Sequence, residues 1–329
     1  MSGEEALLAW LSARRDRGAA QRGDDAALLR LSGDYALTID SQEAGVHFPV
    51  DTPPGVVARR TLAVNLSDLA ACGAVPETAL LALAAPRDYP HRRFLGAFVQ
   101  ACEQWGVALV GGDLSASDRL RATAVLVGRR AAACSWLRRS TARVGDRIWV
   151  GGTLGESGAG CQLLARGGRS SSRGVALPRG STLGSNRRLA AAARAAIRRH
   201  LQPVPQLALG RWLAGRRRAA ALDISDGFAK DLARLCDASG VGARVDLERL
   251  PFSAHLEALG AHLGTSAETL ALAGGEDYVL LFTLPAAVAA PAGCSAVGSI
   301  VRERAMRARR GGRDVGPLAP AGYDHLVQR

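Results

Sequence analysis

The stretch LDISDGFAKDLARL at residues 222–235 decides the fold class. Its first residues are apolar and extended in character, and the residues that follow show helical spacing, with Leu232 and Leu235 on one apolar face. Two carboxylates, Asp223 and Asp226, lie in the turn between these segments. An apolar strand that passes through an acidic turn into an amphipathic helix is typical of α/β proteins.

The same alternation continues on both sides of this stretch. It predicts helices at 3–15, 56–72, 91–105, 185–200, 205–215, 227–237 and from about 156, and strands at 35–40, 78–84, 121–128, 147–150, 220–224 and 278–284. Residues 167–174, with the sequence GGRSSSRG, are expected to form an exposed flexible loop. A chain of 329 residues is long enough for two domains. We therefore predict an α/β (α+β) protein with domains at 1–140 and 141–329.

The net charge of +12 is less informative than it looks. Only one of the 42 basic residues, Lys230, is a lysine, which together with the high Ala and Gly content indicates a GC-rich coding sequence. Interleaved basic and aromatic residues, which a base-stacking surface needs, are absent from the sequence. We expect no nucleic acid as a partner, and a basic nucleotide-binding or nucleic-acid-binding protein without catalysis is the less favoured alternative.

The six cysteines are too widely spaced for a CxxC metal site or redox pair. They are expected to be reduced thiols of a cytoplasmic protein. The first residues, MSGEEALLAW, lack the basic segment of a signal peptide, and no apolar run is long enough to cross a membrane. We expect no membrane association.

Carboxylates recur at turns along the whole chain, most of them beside glycine or a small polar residue. They are Asp25, Asp40, Asp68, Asp113, Asp223, Asp226 and Glu276. Glycine allows the backbone to approach a ligand closely. Clustered carboxylate oxygens are the ligands that Mg²⁺ prefers, together with water and substrate phosphates. The pattern predicts metal-assisted phosphate chemistry.

Each acidic motif also has an ordinary structural interpretation. Asp226 precedes an apolar helix and would be a good N-cap. The GDD, GGD and GGED sequences are frequent in turns. Asp68 is harder to explain in this way, because it lies among Leu and Ala in a predicted helix, where Asp is unfavourable. The occurrence of all these motifs in one chain favours a site.

The sequence contains no GxxxxGK[ST] motif, which excludes a P-loop. Lys230 also matches neither the P-loop lysine nor the strand lysine of protein kinases. If the protein handles ATP, metal ions, arginines and backbone amides must therefore neutralise its phosphates.

Taken together, the motifs resemble thiamine-monophosphate kinases, which belong to the ATP-binding superfamily of aminoimidazole ribonucleotide synthetase. The matching segments are GDDAALL at 23–29, TIDSQEAGVHF at 38–48, LAVNLSDLAACGAVP at 62–76, LVGGDLS at 109–115, GDRIWVGGTLGESGAG at 145–160, HLQPVPQLALG at 200–210, the opening stretch at 222–235, GGEDYVLLFTLP at 274–285 and GYDHL at 322–326. The resemblance implies a two-domain fold in which the N-terminal sheet completes a barrel across a homodimer.

The resemblance also implies a reaction. The enzyme would transfer the γ-phosphoryl group of ATP directly and in line to thiamine monophosphate, giving thiamine diphosphate in the last step of its biosynthesis. ATP would be the co-substrate and several Mg²⁺ ions would be bound. Phosphoryl transfer of this kind depends on positioning and charge neutralisation and needs no covalent nucleophile.

Site residues follow from the resemblance, position by position. The implied metal ligands are Asp25, Thr38, Ile39, Asp40, Asp68, Asp113, Asp223 and Asp226. The implied ATP contacts are Gly112, Asp113, Arg139 and Ser225. The implied contacts to thiamine monophosphate are His47, Glu276 and Tyr323. His47 could also be a core or turn histidine.

Some positions depart from the family pattern. The pair before Asp40 is Thr38-Ile39 instead of two hydroxyl residues. The run Ser41-Gln42-Glu43-Ala44 departs from the common Leu-Val-Glu-Gly type, and Leu-Ser follows Asp113 instead of a threonine pair. A sister enzyme such as aminoimidazole ribonucleotide synthetase is the main alternative. Selenophosphate synthetases and hydrogenase-maturation dehydratases use a cysteine near one terminus, and this chain has none before Cys72 or after Cys294.

Overall fold

The computed structural model of the chain describes residues 4–14, 16–17, 26, 29–171, 174–178, 182–216 and 218–323. The helices are α1 (Glu4–Ser12), α2 (Pro54–Cys72), α3 (His91–Trp105), α4 (Glu156–Ala165), α5 (Arg187–Leu201), α6 (Leu207–Ala214), α7 (Phe228–Ser239), α8 (Ala254–Leu263) and α9 (Ala267–Ala273). The strands are β1 (Tyr35–Glu43), β2 (Ala74–Ala85), β3 (Ala108–Ala116), β4 (Arg121–Arg130), β5 (Asp146–Val150), β6 (Arg169–Ser171), β7 (Gly174–Ala176), β8 (Ala220–Asp223), β9 (Gly242–Asp246), β10 (Leu280–Pro285), β11 (Ser295–Val301), β12 (Met306–Arg310) and β13 (Arg313–Pro317).

The first four strands form one sheet in the order β1-β4-β2-β3. Helix α2 packs on one face of this sheet, so that alternate residues of β4, such as Ala122 and Ala124, are buried. The opposite face of the sheet is apolar but open. Leu37 is 69% exposed, Ile39 64% and Leu80 40%. An apolar face of this kind is typical of an interaction surface.

Helix α2 is buried on nearly every side because it lies between the two halves of the protein. One side contacts the first sheet, and other sides contact α3, α6 and strand β8. The helix ends at Gly73, whose φ of +73° closes the last turn in the left-handed conformation that glycine adopts readily. A helix that is buried all round is expected to be apolar. The polar residues that α2 nevertheless buries therefore need partners; they are Arg60, Thr61, Asn65 and Ser67.

The second sheet has seven strands in the order β13-β12-β9-β11-β5-β10-β8. Strand β8 is at its edge and contacts α2, so Asp223 at the end of β8 faces the N-terminal half. All strands of the first sheet lie before residue 131, and all strands of the second lie after residue 145. None of the helices within the described ranges is both long enough and apolar enough to span a membrane.

Several element boundaries differ from those expected from sequence. Strand β1 continues to Glu43, so Asp40 lies inside a strand and not at its end. The GGD motif at 111–113 lies inside β3 and is not a turn. The segment 167–174 was expected to be a flexible loop, but residues 169–171 form β6, which pairs with β7 at 174–176, and 172–173 lie outside the described residues. The sequence patterns also missed β9, β11 to β13, α8 and α9.

Candidate active site

Three of the predicted metal ligands lie together where the two halves of the protein meet. Asp40 comes from β1, Asp68 from α2 and Asp223 from the end of β8. Thr38 Oγ1 donates a hydrogen bond to Asp68 Oδ2 at 2.5 Å, and Ser67 Oγ donates one to Asp223 Oδ2 at 2.6 Å. The fold thus gathers carboxylates that are far apart in sequence.

The carboxylates of this cluster are held close to one another in a poorly hydrated environment. Burial, with additional repulsion from Asp68 and Glu276, raises the pKa of Asp40 to about 7. Burial and the charge of Asp68 likewise raise the pKa of Asp223 to about 7, although the bond from Ser67 opposes this. Burial also raises the pKa of Asp68, against the opposing effects of the Thr38 bond and the Arg139 charge. Ionised, these groups repel one another.

A divalent cation is the natural partner of such a cluster. Within the described part of the chain, no three His, Cys, Asp or Glu side chains stand close enough to hold one ion by themselves. Mg²⁺ typically takes only one or two carboxylates and completes its shell with water and substrate phosphates. Asp40, Asp68 and Asp223 therefore suit Mg²⁺ ions that are shared with a phosphate ligand.

These pKa values predict how stability responds to pH and Mg²⁺. The pKa values of Asp40 and Asp223 rise from 3.8 to about 7 on folding, so their stabilising contribution is present at low pH and is lost as the pH rises through 7. Burial also raises the pKa of Asp277 to about 7, so its contribution to stability changes with pH in the same direction. The pKa of His200 is lowered from 6.5 to about 4, so this residue makes stability increase with pH, but only below about pH 6.5. Between pH 6.5 and 8 the melting temperature of metal-free protein should therefore fall.

Mg²⁺ should raise the melting temperature more at pH 8 than at pH 6.5, because it binds the ionised carboxylates. Thermal melts with EDTA or with Mg²⁺ at the two pH values measure both effects. An equal Mg²⁺ effect at both pH values would contradict the assignment of this cluster as the metal site.

Asp113 does not join the cluster within one chain. It is exposed in β3, whereas Asp40 is in β1, and strands β4 and β2 lie between them. Neighbouring strands are ~4.8 Å apart, so β1 and β3 are separated by about 14 Å. Gly112 lies against strand β2 so closely that an added Cβ would be 2.0 Å from the carbonyl oxygen of Leu81. That position therefore requires glycine.

Ile39 is on the other face of β1 from Thr38 and Asp40. Its side chain is 64% exposed on the open face of the sheet, as expected from the alternation of side chains along a strand. Any metal contact of Ile39 is thus limited to its backbone carbonyl. Asp25, the remaining predicted ligand, lies outside the described residues.

Asp226 belongs to a separate group of charges. Its Oδ2 atom is 2.5 Å from Arg234 Nη2 and 3.2 Å from Lys230 Nζ. Tyr323 donates its backbone N–H to the Asp226 carbonyl at 2.9 Å, and Lys230 donates to the Tyr323 carbonyl. The predicted terminal segment thus lies against the turn that contains Asp226.

The two remaining predicted nucleotide contacts flank the cluster. Arg139, in a 3₁₀ turn at Arg139–Thr141, is close enough to Asp68 for its charge to lower the pKa of that carboxyl. Ser225 follows Asp223 in the acidic turn, and its N–H donates to Asp231 Oδ2 at 3.0 Å.

Asp231, which the sequence reasoning did not select, fixes the acidic turn. Its Oδ2 atom accepts hydrogen bonds from the N–H groups of Ser225, Asp226 and Gly227 at 3.0 to 3.2 Å. These N–H groups precede α7 and would otherwise have no helical partner. Asp231 therefore caps the helix from within its first turn.

The predicted acceptor contacts Glu276 and His47 lie beside a second cluster of polar groups. Glu276 Oε1 accepts from Arg60 Nη2 at 2.5 Å, and Glu276 Oε2 is 3.1 Å from His200 Nδ1. The backbone N–H of Glu43 donates to His47 Nδ1 at 3.0 Å, so a neutral His47 ring carries its proton on Nε2. A cavity of about 200 Å³ lies beside His47 and is lined by His47, His200 and Cys161 among others.

The other carboxylate of the GGED motif has a structural role. Asp277 is buried and accepts the backbone N–H groups of Gly155 at 2.8 Å and Ser157 at 3.3 Å, at the start of α4. Burial nevertheless raises its pKa to about 7.

Sequence reasoning missed Arg60, His200 and the role of Gln42 in this region. His200 opens the segment HLQPVPQLALG, which carried the resemblance without being assigned a role. Arg60 had a usable signal, because it is one of two adjacent cations in a largely apolar helix. Gln42 had been noted only as a departure from the family pattern.

Proteins of one family are similar to this chain over most of its length. The AIR synthase related protein family models match over residues 23–129 for the N-terminal domain and 143–303 for the C-terminal domain. The thiamine-monophosphate kinase of Salmonella typhimurium strain LT2 is 38% identical over 268 residues, which are 80% of this chain and 75% of that protein.

Two solved structures are similar over nearly the whole chain. One, described as AaThiL complexed with AMPPCP and TMP, has a TM-score of 0.74 at 30% identity and covers 92% of this chain and 90% of its own. The other, thiamine-monophosphate kinase from Stenotrophomonas maltophilia K279a, has a TM-score of 0.75 at 32% identity and covers 95% and 96%. The resemblance seen in the motifs is thus confirmed, and the chain belongs to the thiamine-monophosphate kinase family of AIR synthase related proteins.

Proposed function

We propose that this protein is a thiamine-phosphate kinase that uses ATP to convert thiamine monophosphate to thiamine diphosphate. Family membership supports the reaction, as does the solved relative that is described as a complex with AMPPCP and TMP. The observation that carries the proposal is the cluster of Asp40, Asp68 and Asp223 at the meeting of the two halves.

The reaction brings together two anions, the phosphate of the acceptor and the triphosphate of ATP. Their repulsion must be cancelled before an acceptor oxygen can approach the γ-phosphorus in line. Asp40, Asp68 and Asp223 would hold Mg²⁺ ions, whose positive charge would neutralise the phosphates. The oxygen of the acceptor phosphate is itself the nucleophile, so no covalent intermediate on the protein is needed.

The chain's own residues then have the following proposed roles. Asp40, Asp68 and Asp223 hold the metal, with Thr38 orienting Asp68. Arg139 provides positive charge beside Asp68 for the nucleotide phosphates.

On the acceptor side, the Nε2–H of His47 suits a phosphate oxygen, and the carboxylate of Glu276 suits the cationic thiazolium ring. We further assign Ser225 and Gly112 to the nucleotide. Asp226 remains a proposed metal ligand, and Tyr323 remains a proposed acceptor contact.

We propose domains at 1–140 and 141–329 and a homodimer formed through the first sheet. The open apolar face that contains Leu37, Ile39 and Leu80 supports a second copy as its partner. The outer strands β1 and β3 each have one edge that no described strand pairs, and closing a barrel satisfies such edges. We also propose a cytoplasmic location, based on the wide spacing of the six cysteines in the sequence.

The dimer also gives Asp113 a role. Within one chain this residue is about 14 Å of sheet away from Asp40. If β1 of one subunit pairs with β3 of the other, Asp113 of the partner subunit comes to the strand next to Asp40. We propose this pairing, in which Asp113 serves the metal and nucleotide of the other subunit's site.

Incubation of the purified protein with thiamine monophosphate, ATP and Mg²⁺ tests the proposed reaction. We expect thiamine diphosphate and ADP in equal amounts, detected by chromatography, and no product when ATP is omitted or Mg²⁺ is chelated. ATP binding without thiamine diphosphate formation would contradict the proposal and favour a sister enzyme with another acceptor.

A further inference from the structure

Arg60 is a fully buried arginine in the middle of α2, with 0% of its surface exposed. All three of its guanidinium nitrogens are used. Nε donates to Gln42 Oε1 at 2.7 Å, Nη2 donates to Glu276 Oε1 at 2.5 Å, and Nη1 donates to the carbonyl oxygen of His200. A single side chain thus joins β1, α5 and the loop before β10.

Glu276 is the only one of these partners that carries a negative charge, and Arg60 holds one of its two carboxylate oxygens. Oε1 accepts from Arg60, and Oε2 lies 3.1 Å from His200 Nδ1. The other ring nitrogen of His200 lies 3.1 Å from the carbonyl oxygen of His47. A neutral imidazole carries one N–H, so His200 donates either to Glu276 Oε2 or to the His47 carbonyl, and the hydrogen bond from Arg60 is the contact that orients the carboxylate.

The backbone of Glu276 is also in an unusual conformation. Its φ is +55°, and that of Tyr278 is +49°, in the region that disfavours residues with a Cβ. Hydrogen bonds hold this turn in place, from Glu276 N–H to the Ser225 carbonyl at 2.7 Å and from Tyr278 N–H to the Ile224 carbonyl at 2.9 Å. Such strain persists where the surroundings impose it, frequently at functional sites.

The carboxylate of Glu276 lies between two parts of the site. On one side its charge raises the pKa of Asp40 in the metal cluster. On the other side its charge helps to raise the pKa of Cys161, which lines the 200 Å³ cavity together with His47 and His200. Glu276 keeps 23% of its side chain exposed, although its Arg60 partner has none.

Burying an arginine is costly, and a single carboxylate repays that cost only with good geometry. The residues one turn before and after it on α2, Val56, Val57, Ala63 and Val64, are apolar, so a methionine or leucine at position 60 would be compatible with the helix. We infer that Arg60 is a positioning residue that fixes the carboxylate of Glu276 for contact with the acceptor. This inference rests on the proposed function, in which Glu276 contacts thiamine monophosphate.

A role in acceptor positioning predicts a selective kinetic effect. Arg60→Met should raise the KM for thiamine monophosphate by about tenfold or more and leave the KM for ATP within about twofold. Arg60→Lys should give an intermediate KM, because an ammonium can reach Glu276 but cannot also serve Gln42 and the His200 carbonyl. Arg59→Met, an exposed neighbour on the same helix, should leave both KM values unchanged.

A double-mutant cycle shows whether Arg60 acts through Glu276. In a Glu276→Gln background, Arg60→Met should raise the KM for thiamine monophosphate by less than about twofold more, since the group that Arg60 orients is already altered. Independent, multiplicative effects of the two substitutions would overturn the inference. Equal increases in the KM for ATP and for thiamine monophosphate would also overturn it, because they would indicate that Arg60 only stabilises the local structure.

Two further observations keep the test decisive. If circular dichroism shows Arg60→Met to be unfolded, Arg60→Lys and Gln42→Leu are measured instead, and an unchanged KM for thiamine monophosphate in both overturns the inference. A wild-type protein that forms no thiamine diphosphate overturns the proposed function and this inference together. An active wild type with an unaffected Arg60→Met variant overturns only the role of Arg60.

Discussion

A heterodimer of one Asp40→Asn chain and one Asp113→Asn chain should retain about half of the wild-type turnover, although each variant alone is nearly inactive. Removing either carboxylate should lower turnover by about 10²–10⁴-fold, as is usual for groups that stabilise charge in the transition state. If Asp113 serves the site of the other subunit, both substitutions fall in one site of the heterodimer. The second site then keeps both aspartates and works normally.

Two differently tagged chains, expressed together and purified through both tags, provide the heterodimer for the assay. The matched control combines Asp40→Asn with Asp68→Asn. Both residues belong to the cluster within one chain, so each site of that heterodimer carries a defect and it should be inactive. An inactive Asp40/Asp113 heterodimer would place Asp113 in the site of its own chain, and failure to obtain any doubly tagged species would argue against the dimer.

Asp223→Asn should abolish most turnover and at the same time stabilise the metal-free protein. Turnover should fall by about 10²–10⁴-fold because a proposed metal ligand loses its charge. Stability should increase because burial and Asp68 raise the pKa of Asp223 to about 7, which means that its ionised form is unfavourable in the folded state. The amide oxygen of asparagine can still accept the hydrogen bond from Ser67.

Thermal melts at pH 8 in EDTA, compared with the kinetic assay, test both halves of this prediction. We expect the melting temperature to rise by a few degrees, on the order of 2–4 °C per kcal/mol. The matched control is Asp314→Asn, at an exposed aspartate whose pKa is lowered by its bond to Arg307. That variant should keep full turnover and should not be stabilised. A destabilised Asp223→Asn protein would contradict the electrostatic description of the cluster.

The sequence patterns located those elements whose signal is local and strong. Helix α3 was expected at 91–105, and the structure has it at His91–Trp105. Its apolar residues recur at helical spacing on one side only, which a sequence window can detect. Strand β12, with the sequence MRARR, was missed because only Ala308 of its five residues is buried. Its place in the sheet depends on pairing with β9 and β13.

The conformation of one acidic motif likewise depends on strand pairing that a local sequence pattern does not contain. The GGD motif was expected in a turn, since glycine and aspartate are common there. In the structure these residues belong to β3, where parallel pairing with β2 imposes an extended conformation. The backbone partners of a strand come from other parts of the chain, so a short window of sequence does not contain the deciding information.

The sequence by itself determined the two α/β halves, the family and the set of carboxylates from which a metal site can be built. These depend on residue types and on motifs read along the chain. Only the tertiary structure decided which carboxylates meet, separating Asp113 from Asp40 and assigning Asp231 and Asp277 to helix caps. It also paired Arg60 with Glu276, 216 residues later. Burial and the charge–charge interactions that follow from it arise between segments distant in sequence, and therefore appear only once the chain is folded.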